Sequence, residues 1–312
     1  HTCTLNFGGN GFTHTPPDGY KALSTANLPE PTIKKGSKYL NVKTYSGTGS
    51  SHAITGLDFS PNLVMIRSRS VSGRNTSVFD TVRGANAELV TTGDSAEATG
   101  DTELLKSFDA NGFTLGTNAG VNGASGETFV AWSWDESATA GFDIVSYTGD
   151  GNSPRNVAHS LGVAPELVII KKRSATDNWI VGIGPVLGSG NEGHYLKLNS
   201  YNQAGTSSVV FNDTNPTSSN IVLGDNTSVN NNGSTYIAYC FSNVEGYSKI
   251  GRFLGNGSTN GPFVMLGFRP KLIITKKADG TGHWYIWDTE RQPNNEAERK
   301  VLWFNYNSED EG

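Results

Sequence analysis

Cysteine, methionine and charge are all scarce in this sequence. The 312 residues include two cysteines and two methionines, and charged residues make up only 17%. Two cysteines as far apart as Cys3 and Cys240 exclude the disulfide framework of a small secreted domain. A net charge of -5 supplies no basic footprint for nucleic acid, and no apolar run approaches the length of a transmembrane helix. We therefore expect neither a nucleic-acid partner nor membrane insertion.

Glycine, by contrast, is abundant. The chain has 38 glycines, and serine, threonine and asparagine are also frequent. These residues supply tight turns and positive φ angles, whereas helical periodicity is nearly absent. Apolar segments of strand length recur between the turns, for example at residues 77–80, 112–116, 208–211 and 283–287. The composition therefore indicates many short strands joined by turns, which is an all-β fold.

Three stretches of the sequence match one another: residues 45–67, 147–171 and 253–276. Each begins with an aromatic residue and a Gly-x-Gly turn, then passes through a proline into a run that starts Leu-Val or Leu-Ile. Because proline lacks the N–H of a ladder bond, it suits the position just before a strand. Apolar residues at consecutive positions are typical of a strand buried on both faces. The stretches are about 100 residues apart, the size of one β-sandwich domain.

A second matched element, at residues 126–134 and 233–241, closes the first two repeats. Its residues alternate, so Ala131 lies on a face of smaller residues and Trp132 on a face of large ones. Tyr239 takes the place of Trp132 in the second repeat. The third repeat does not reach this element. Two matched elements at matching offsets predict a tandem repeat.

These observations predict an all-β chain of tandem β-sandwich, jelly-roll-like modules. We place them at residues 38–138, 139–244 and 245–312, the third being truncated. Residues 1–37 lack the apolar mass for a core of their own. We expect that lead segment to pair with upstream strands or to lie along the first module, and the whole chain to be an excerpt of a longer polypeptide.

Two parts of the chain resemble known families. Leu-Asn-Phe-Gly at residues 5–8 and Pro-Pro-Asp-Gly-Tyr at residues 16–20 resemble the closing end of a SPRY (concanavalin-like) β-sandwich. Residues 39–134 resemble the β-rich modules repeated downstream of SPRY domains in bacteriophage tail-fibre and appendage proteins. The strings Tyr-x-Gly-x-Gly, Leu-Asp-Phe-x-Pro-x-Leu-Val and Phe-Val-Ala-Trp-x-Trp carry that likeness.

The resemblance implies an extracellular virion protein, a tail fibre or similar appendage, that takes part in host-surface attachment. Its implied partners are other virion proteins and a host-surface glycan or receptor, and its implied assembly is a homo-oligomer, most commonly a trimer. It brings no catalytic residues with it. Two alternatives stay open: a fibre-borne polysaccharide depolymerase, and a purely structural spacer or decoration protein.

The sequence shows no pattern for catalysis, a cofactor or a metal. No histidines stand at His-x-x-x-His spacing, and the acidic residues form no EF-hand loop. We therefore expect no enzyme activity, no cofactor and no metal. A glycosidase needs two carboxylates at a defined separation. Asp80, Glu88, Asp94 and Glu97 are candidates for such a pair, but the other repeats do not reproduce them as a set.

Basic residues follow each apolar run: Arg67 and Arg69 in the first repeat, residues 171–173 in the second and residues 276–277 in the third. One interpretation is a strand that leaves the core for solvent, where lysine on an edge also discourages edge pairing. The other is a surface for acidic glycans. The sequence favours the first.

The segments in the middle of each repeat differ, and we predict that any ligand contacts these loops. Apolar strands keep their residue type because a packed core demands it, whereas surface loops are free to carry function. On this ground the predicted ligand residues are Arg74 and Asn75 in the first repeat, and Arg291, Asn294 and Asn295 in the third. Neutral drift explains the same divergence.

Overall fold

The apolar run of each repeat forms a strand in a separate antiparallel sheet. The computed structural model describes residues 31–124, 126–293 and 300–310. Strands dominate these residues, and helices are limited to single turns, so the all-β prediction is confirmed. No helix in this described part is long and apolar enough to cross a membrane. The SPRY-like motifs fall on residues 5–8 and 16–20, outside the described residues.

The strands of the first repeat are β1 (Leu40–Ser46), β2 (His52–Thr55), β3 (Leu63–Ser68), β4 (Ser77–Asp80), β5 (Ala87–Val90), β6 (Ala98–Thr99), β7 (Leu105–Asp109), β8 (Gly112–Leu115) and β9 (Thr128–Trp134). Those of the second are β10 (Phe142–Thr148), β11 (Arg155–Ala158), β12 (Leu167–Lys172), β13 (Trp179–Gly182), β14 (His194–Lys197), β15 (Gly205–Thr206), β16 (Asn220–Leu223) and β17 (Thr235–Phe241). Those of the third are β18 (Leu272–Lys276), β19 (Trp284–Asp288) and β20 (Leu302–Trp303).

The helical turns are short connections between these strands. They are 3-10 turns at Gly36–Lys38 and Ala138–Ala140, and α-helical turns at Ala119–Asn122, Gly184–Leu187, Ser208–Phe211 and Thr227–Asn230. The apolar segment at residues 208–211, expected to be a strand, is one of these turns and buries Val210 and Phe211.

The first two repeats have the same large sheet. Its strand order is β1-β9-β3-β4-β5-β6 in the first repeat and β10-β17-β12-β13-β14-β15 in the second. The closing strands β9 and β17 therefore lie between the first strand and the apolar strand. Trp132 of β9 lies opposite Met65, and Tyr239 of β17 lies opposite Ile169, at matching positions of the two ladders. The third repeat has a sheet of order β18-β19-β20.

A small second sheet covers the outer face of each complete large sheet. It contains β2-β8-β7 in the first repeat and β11-β16 in the second. Between the two sheets of the first repeat lies a core that includes Val64, Ile66 and Phe113. The second repeat has a matching core with Val168, Ile170 and Ile221. Each of these two repeats is thus a pair of packed sheets.

The inner faces of all three large sheets meet in one shared hydrophobic core. Trp132 of the first repeat, Trp179 of the second and Trp284 of the third all belong to it, and the two first are fully buried. Met65 also faces this core while its neighbour Val64 faces the outer one. This explains why the apolar strand has apolar residues at consecutive positions: every residue of β3 is buried, as the sequence predicted.

The shared core predicts that the chain unfolds as one unit. Trp132→Ala should destabilise the whole chain by about 3–5 kcal/mol, because it opens a cavity between three repeats. Val82→Ala is the matched control, since Val82 is an exposed apolar residue at 44% and should change stability by no more than about 0.5 kcal/mol. Urea unfolding followed by tryptophan fluorescence and by far-UV circular dichroism checks this. Three separable transitions would contradict the prediction.

Candidate functional site

The three repeats contact one another head to tail, and their contacts close into a ring. At each joint the hairpin loop after the apolar strand of one repeat meets a rim segment of another. The hairpin loops are residues 69–73, 173–177 and 278–282, and the rim segments are residues 94–97, 201–204 and 307–310. At joint A the loop of the second repeat contacts the first repeat. At joint B the loop of the third repeat contacts the second, and at joint C the loop of the first repeat contacts the third.

Two backbone hydrogen bonds recur at every joint. At joint A, Glu97 N donates to Arg173 O at 2.9 Å, and Asp177 N donates to Asp94 O at 2.8 Å. The equivalent bonds run from Ala204 N to Ala278 O (2.8 Å) and from Gly282 N to Tyr201 O (2.8 Å) at joint B, and from Asp310 N to Arg69 O (2.7 Å) and from Gly73 N to Asn307 O (2.7 Å) at joint C. The ring therefore closes through one repeated geometry.

Joint A also contains a buried cluster of charged and polar side chains. Asp80 and Arg83 form an ion pair of 2.5 Å with neither side chain exposed, and Arg83 also contacts Glu97 at 3.2 Å. Arg173 of the second repeat donates two hydrogen bonds of 2.9 Å to Glu97. The Tyr239 hydroxyl, also of the second repeat, donates to Asp80 Oδ2 at 2.7 Å. Burial raises the pKa of Glu97, but the hydrogen bonds from Arg173 and Arg83 bring it below its ordinary value.

Joint C repeats this cluster with residues of the third and first repeats. Asp288 and Arg291 form an ion pair of 2.7 Å with neither side chain exposed. Asp310 takes the place of Glu97 and contacts both Arg291, at 2.8 Å, and Arg69, at 2.7 Å. The Trp132 indole donates to Asp288 Oδ2 at 3.0 Å, as the Tyr239 hydroxyl donates to Asp80. Clusters A and C, as we call these two sets, are therefore equivalent.

Joint B has the same backbone contacts but apolar side chains. Ile183 stands at the ladder position of Asp80 and Asp288, and it lies in the shared core at 7% exposure. Ala204 and Ala278 replace the bridging carboxylate and the incoming arginine. Since the charged groups are absent together, none is left buried without a partner. The ring thus has two charged joints and one apolar joint.

Two of the basic residues that follow the apolar runs, Arg67 and Lys171, donate hydrogen bonds at these joints. Arg67 is fully buried and donates to the carbonyl oxygens of Ser308, at 2.6 Å, and Tyr306, at 3.1 Å. Lys171 is equally buried and donates to the carbonyl oxygen of Asp94 at 3.1 Å. Burial lowers the pKa of Arg67 to about 10 and that of Lys171 to about 8. Both sequence interpretations, solvated strand ends and a glycan surface, are therefore wrong for these two residues.

The predicted ligand residues divide into three groups. Asn75 is exposed and accepts a hydrogen bond of 2.7 Å from Thr92, while Arg74 is half-buried and pairs with Glu127 at 3.0 Å. Arg291 is 3% exposed and belongs to cluster C, so its expected place on a ligand-binding loop is wrong. Asn294 and Asn295 lie outside the described residues. The structure therefore leaves Arg74 and Asn75 as the described candidates with accessible side chains.

Three of the four carboxylates considered for a depolymerase have hydrogen-bond or ion-pair partners within the fold. Asp80 and Glu97 are bound in cluster A, and Glu88 accepts a hydrogen bond of 2.5 Å from Ser77. Among the described residues, no three His, Cys, Asp or Glu side chains gather as a metal-binding group. The enclosed cavity beside Phe211 has a volume of about 10 Å³, which is room for one water molecule. The second repeat therefore offers no enclosed substrate site there.

A different pair of carboxyl groups lies where the first repeat is connected to the second, and no sequence motif indicated this pair. Glu136 follows the closing strand β9 and lies beside Asp143 at the start of β10. Asp143 accepts hydrogen bonds from the backbone N–H groups of Ser160, at 2.6 Å, and Ile144, at 3.1 Å. Burial, together with the neighbouring Asp143 carboxylate, raises the pKa of Glu136 to about 7. Both oxygens of Asp143 thus accept hydrogen bonds from the backbone.

The fold and its joints define an all-β protein of three repeats closed into a ring. A family model described as a domain of unknown function, DUF7483, matches residues 35–312. The chain belongs to that family. No similar protein was found among curated proteins, and none among solved structures.

Cluster A predicts an asymmetry between removing one charge and removing all of them. Arg83→Met should destabilise the chain by about 3–5 kcal/mol, because it leaves Asp80 buried without its cation. The fivefold variant Asp80→Ile, Arg83→Leu, Glu97→Ala, Arg173→Ala and Tyr239→Phe replaces the charged and polar members of cluster A by apolar residues, as at joint B. It should be clearly more stable than Arg83→Met, since no charge is left unpaired. Urea unfolding at one pH and salt concentration measures both variants.

A matched control for this comparison is Lys35→Met. Lys35 pairs with Asp58 at 2.6 Å on the surface, with side-chain exposures of 58% and 46%, and exposed pairs of this kind contribute little. Its stability should equal that of the unmodified chain. If Arg83→Met behaved like this control, cluster A would have no role in holding the ring.

The carboxyl pair predicts a pH dependence of stability. The folded-state pKa of Glu136, about 7, lies above its ordinary value of 4.5, so folding favours the protonated form. This contribution is complete below pH 4.5 and is lost as the pH rises through 7. Glu136→Gln should therefore reduce the fall in melting temperature between pH 5 and pH 8.

The matched control for the pH experiment is Glu103→Gln. Hydrogen bonds from Thr117 lower the pKa of Glu103. The contribution of Glu103 to stability therefore changes only at pH values below about 4.5, and the pH dependence between pH 5 and pH 8 should stay the same. Melting curves of both variants and the unmodified chain across that window decide the question. An unaltered slope in Glu136→Gln would show that another group titrates there.

Proposed function

We propose that this chain is a rigid, non-enzymatic structural module of a virion appendage, such as a tail fibre, and that it takes part in host-surface attachment. The observation that best supports a structural role is the closure of three repeats into one ring through buried joints. Such a body resists bending between repeats, because each joint combines two backbone hydrogen bonds with buried side chains. The virion location rests on the sequence resemblance to tail-fibre modules.

Within this proposal, attachment is assigned to loops and support to strands. The described residues that suit a host-surface glycan or receptor are Arg74 and Asn75, which lie next to joint C on a rigid support. An arginine and an asparagine together supply donors and acceptors for hydroxyl or acidic groups of a glycan. We propose further that the ring assembles with other virion proteins, and that the homo-oligomer expected from the resemblance has the complete ring as its subunit.

Two other functions are weaker. A polysaccharide depolymerase is disfavoured because the ion pairs of cluster A occupy Asp80 and Glu97. A purely structural spacer is supported by the same ring, and it differs from the proposal only in the role of the loops. Release of reducing ends from host polysaccharide would favour the enzyme, and binding without cleavage would favour attachment.

Loop replacement separates attachment from a spacer. The variant Arg74→Gly with Asn75→Ser should lose on the order of tenfold in binding to host cells, or ~1.4 kcal/mol, because it removes the accessible polar side chains of this loop. The measurement is binding of fluorescently labelled protein to a panel of bacterial cells, with circular dichroism to confirm the fold. Lys106→Ser is the control, an exposed basic residue on the small sheet at 41%. Equal binding by the unmodified chain, the loop variant and the control would contradict attachment through this loop and favour a spacer.

A further inference from the structure

Joint B carries a cluster of aromatic side chains with two exposed members. Tyr201 of the second repeat and Tyr306 of the third are 56% and 51% exposed, and the half-buried His283 contacts both of them. The ring centroids are 6.1 Å apart for Tyr201 and His283, and 5.3 Å apart for His283 and Tyr306. Both pairs are tilted, by 50° and 41°, so the rings do not cover one another's faces. Trp303, at 7% exposure, packs at 5.9 Å against both His283 and Tyr306.

The contacts between the repeats fix the backbone of this cluster. The carbonyl oxygen of Tyr201 accepts a hydrogen bond from Gly282 N at 2.8 Å. The carbonyl oxygen of Tyr306 accepts one from the buried Arg67 guanidinium at 3.1 Å. His283 directly precedes β19, whose first residue is buried in the shared core. The three rings are therefore placed by the ring of repeats itself, and this preorganisation lowers the entropy cost of binding a ligand.

A chain of hydrogen bonds sets the polar character of His283. The backbone N–H of Trp284 donates to Asn305 Oδ1 at 2.9 Å, so the amide nitrogen of Asn305 is the atom that lies 2.9 Å from His283 Nδ1. Because an amide nitrogen only donates, Nδ1 accepts this bond, and the proton of the neutral imidazole lies on Nε2. The cluster thus has uncharged polar groups: one imidazole N–H donor and two tyrosine hydroxyls.

The first two repeats are accessible at the same positions, although both include their closing strands. The register of the ladders and the backbone bonds of the joints give the counterparts of His283, Tyr306 and Tyr201 in those repeats. These counterparts are exposed or half-buried, and none is aromatic: Asn75, Gly93 and Asp94 in the first repeat, Asn178 and Ser200 in the second. Access at this end is therefore a property of every repeat, whereas the aromatic side chains are specific to joint B.

We propose that the cluster of Tyr201, His283 and Tyr306 is a binding site for a neutral pyranose sugar. Exposed aromatic rings bind the C–H face of a sugar by apolar contact, while nearby polar atoms bind its hydroxyl groups. The uncharged donors and acceptors of this cluster suit hydroxyl groups, in contrast to Arg74, which suits an acidic group. The site adds a second ligand class to the attachment role proposed above and rests on that role only for its biological use.

Saturation-transfer NMR of the full chain with methyl β-D-glucopyranoside and methyl β-D-galactopyranoside tests this site. Saturation should reach at least one glycoside, most strongly at the C–H protons of one ring face, because that face lies on the aromatic rings. Tyr201→Ala and Tyr306→Ala should each weaken binding about tenfold, whereas Tyr306→Phe keeps the ring and should weaken it less. Phe253→Ala is the matched control, since Phe253 is 53% exposed outside the cluster, and it should bind as the unmodified chain does.

Two results would overturn the proposal. One is sugar binding that survives the combined variant Tyr201→Ala, His283→Ala and Tyr306→Ala, with circular dichroism showing an intact fold. The other is saturation transfer to neither glycoside by the unmodified chain. If the apolar dye ANS then bound at the cluster, the surface would be a docking site for an apolar peptide instead. The measurement uses free glycosides and no cells, so its failure is separable from failure of the cell-binding experiment on the Arg74 loop.

Discussion

A sheet that is apolar on both faces cannot leave either face in water, and this constraint organises the molecule. The small sheets cover the outer faces of the first two repeats, and the inner faces have only one another. Three inner faces meeting at a common centre bury Trp132, Trp179 and Trp284 together. The repeats are therefore separate in their strand pairing but not in their stability, since hydrophobic burial is the dominant favourable term in folding.

The joints show two solutions to the same electrostatic problem. A joint either contains every partner of its buried charges, as in clusters A and C, or has apolar residues at those positions, as at joint B. Nothing intermediate occurs at the three joints. All three joints share the same backbone contact. The geometry of the ring therefore does not depend on whether a joint is charged or apolar.

The local structure could be predicted from the sequence, and the ring could not. The alternation in residues 126–134 and the consecutive apolar residues at 63–66 predicted two strands and the faces that they bury, because these are short-range patterns. Tyr239 and Asp80, by contrast, are separated by 159 residues, and no periodicity encodes such a contact. One signal was present: Asp-Thr-x-Arg occurs at both residues 80–83 and 288–291. If this repeated motif is interpreted as a buried ion pair, Arg291 belongs to the core and not to a ligand-binding loop.

The unequal joints also give the ring a fixed order. If another repeat took the place of the third repeat at joint B, Arg69 or Arg173 would lie against Ala204, which has no carboxylate. Burying the unpaired guanidinium would be costly. Identical joints would carry no such discrimination. The mixture of charged and apolar joints therefore favours each repeat at its own position in the ring.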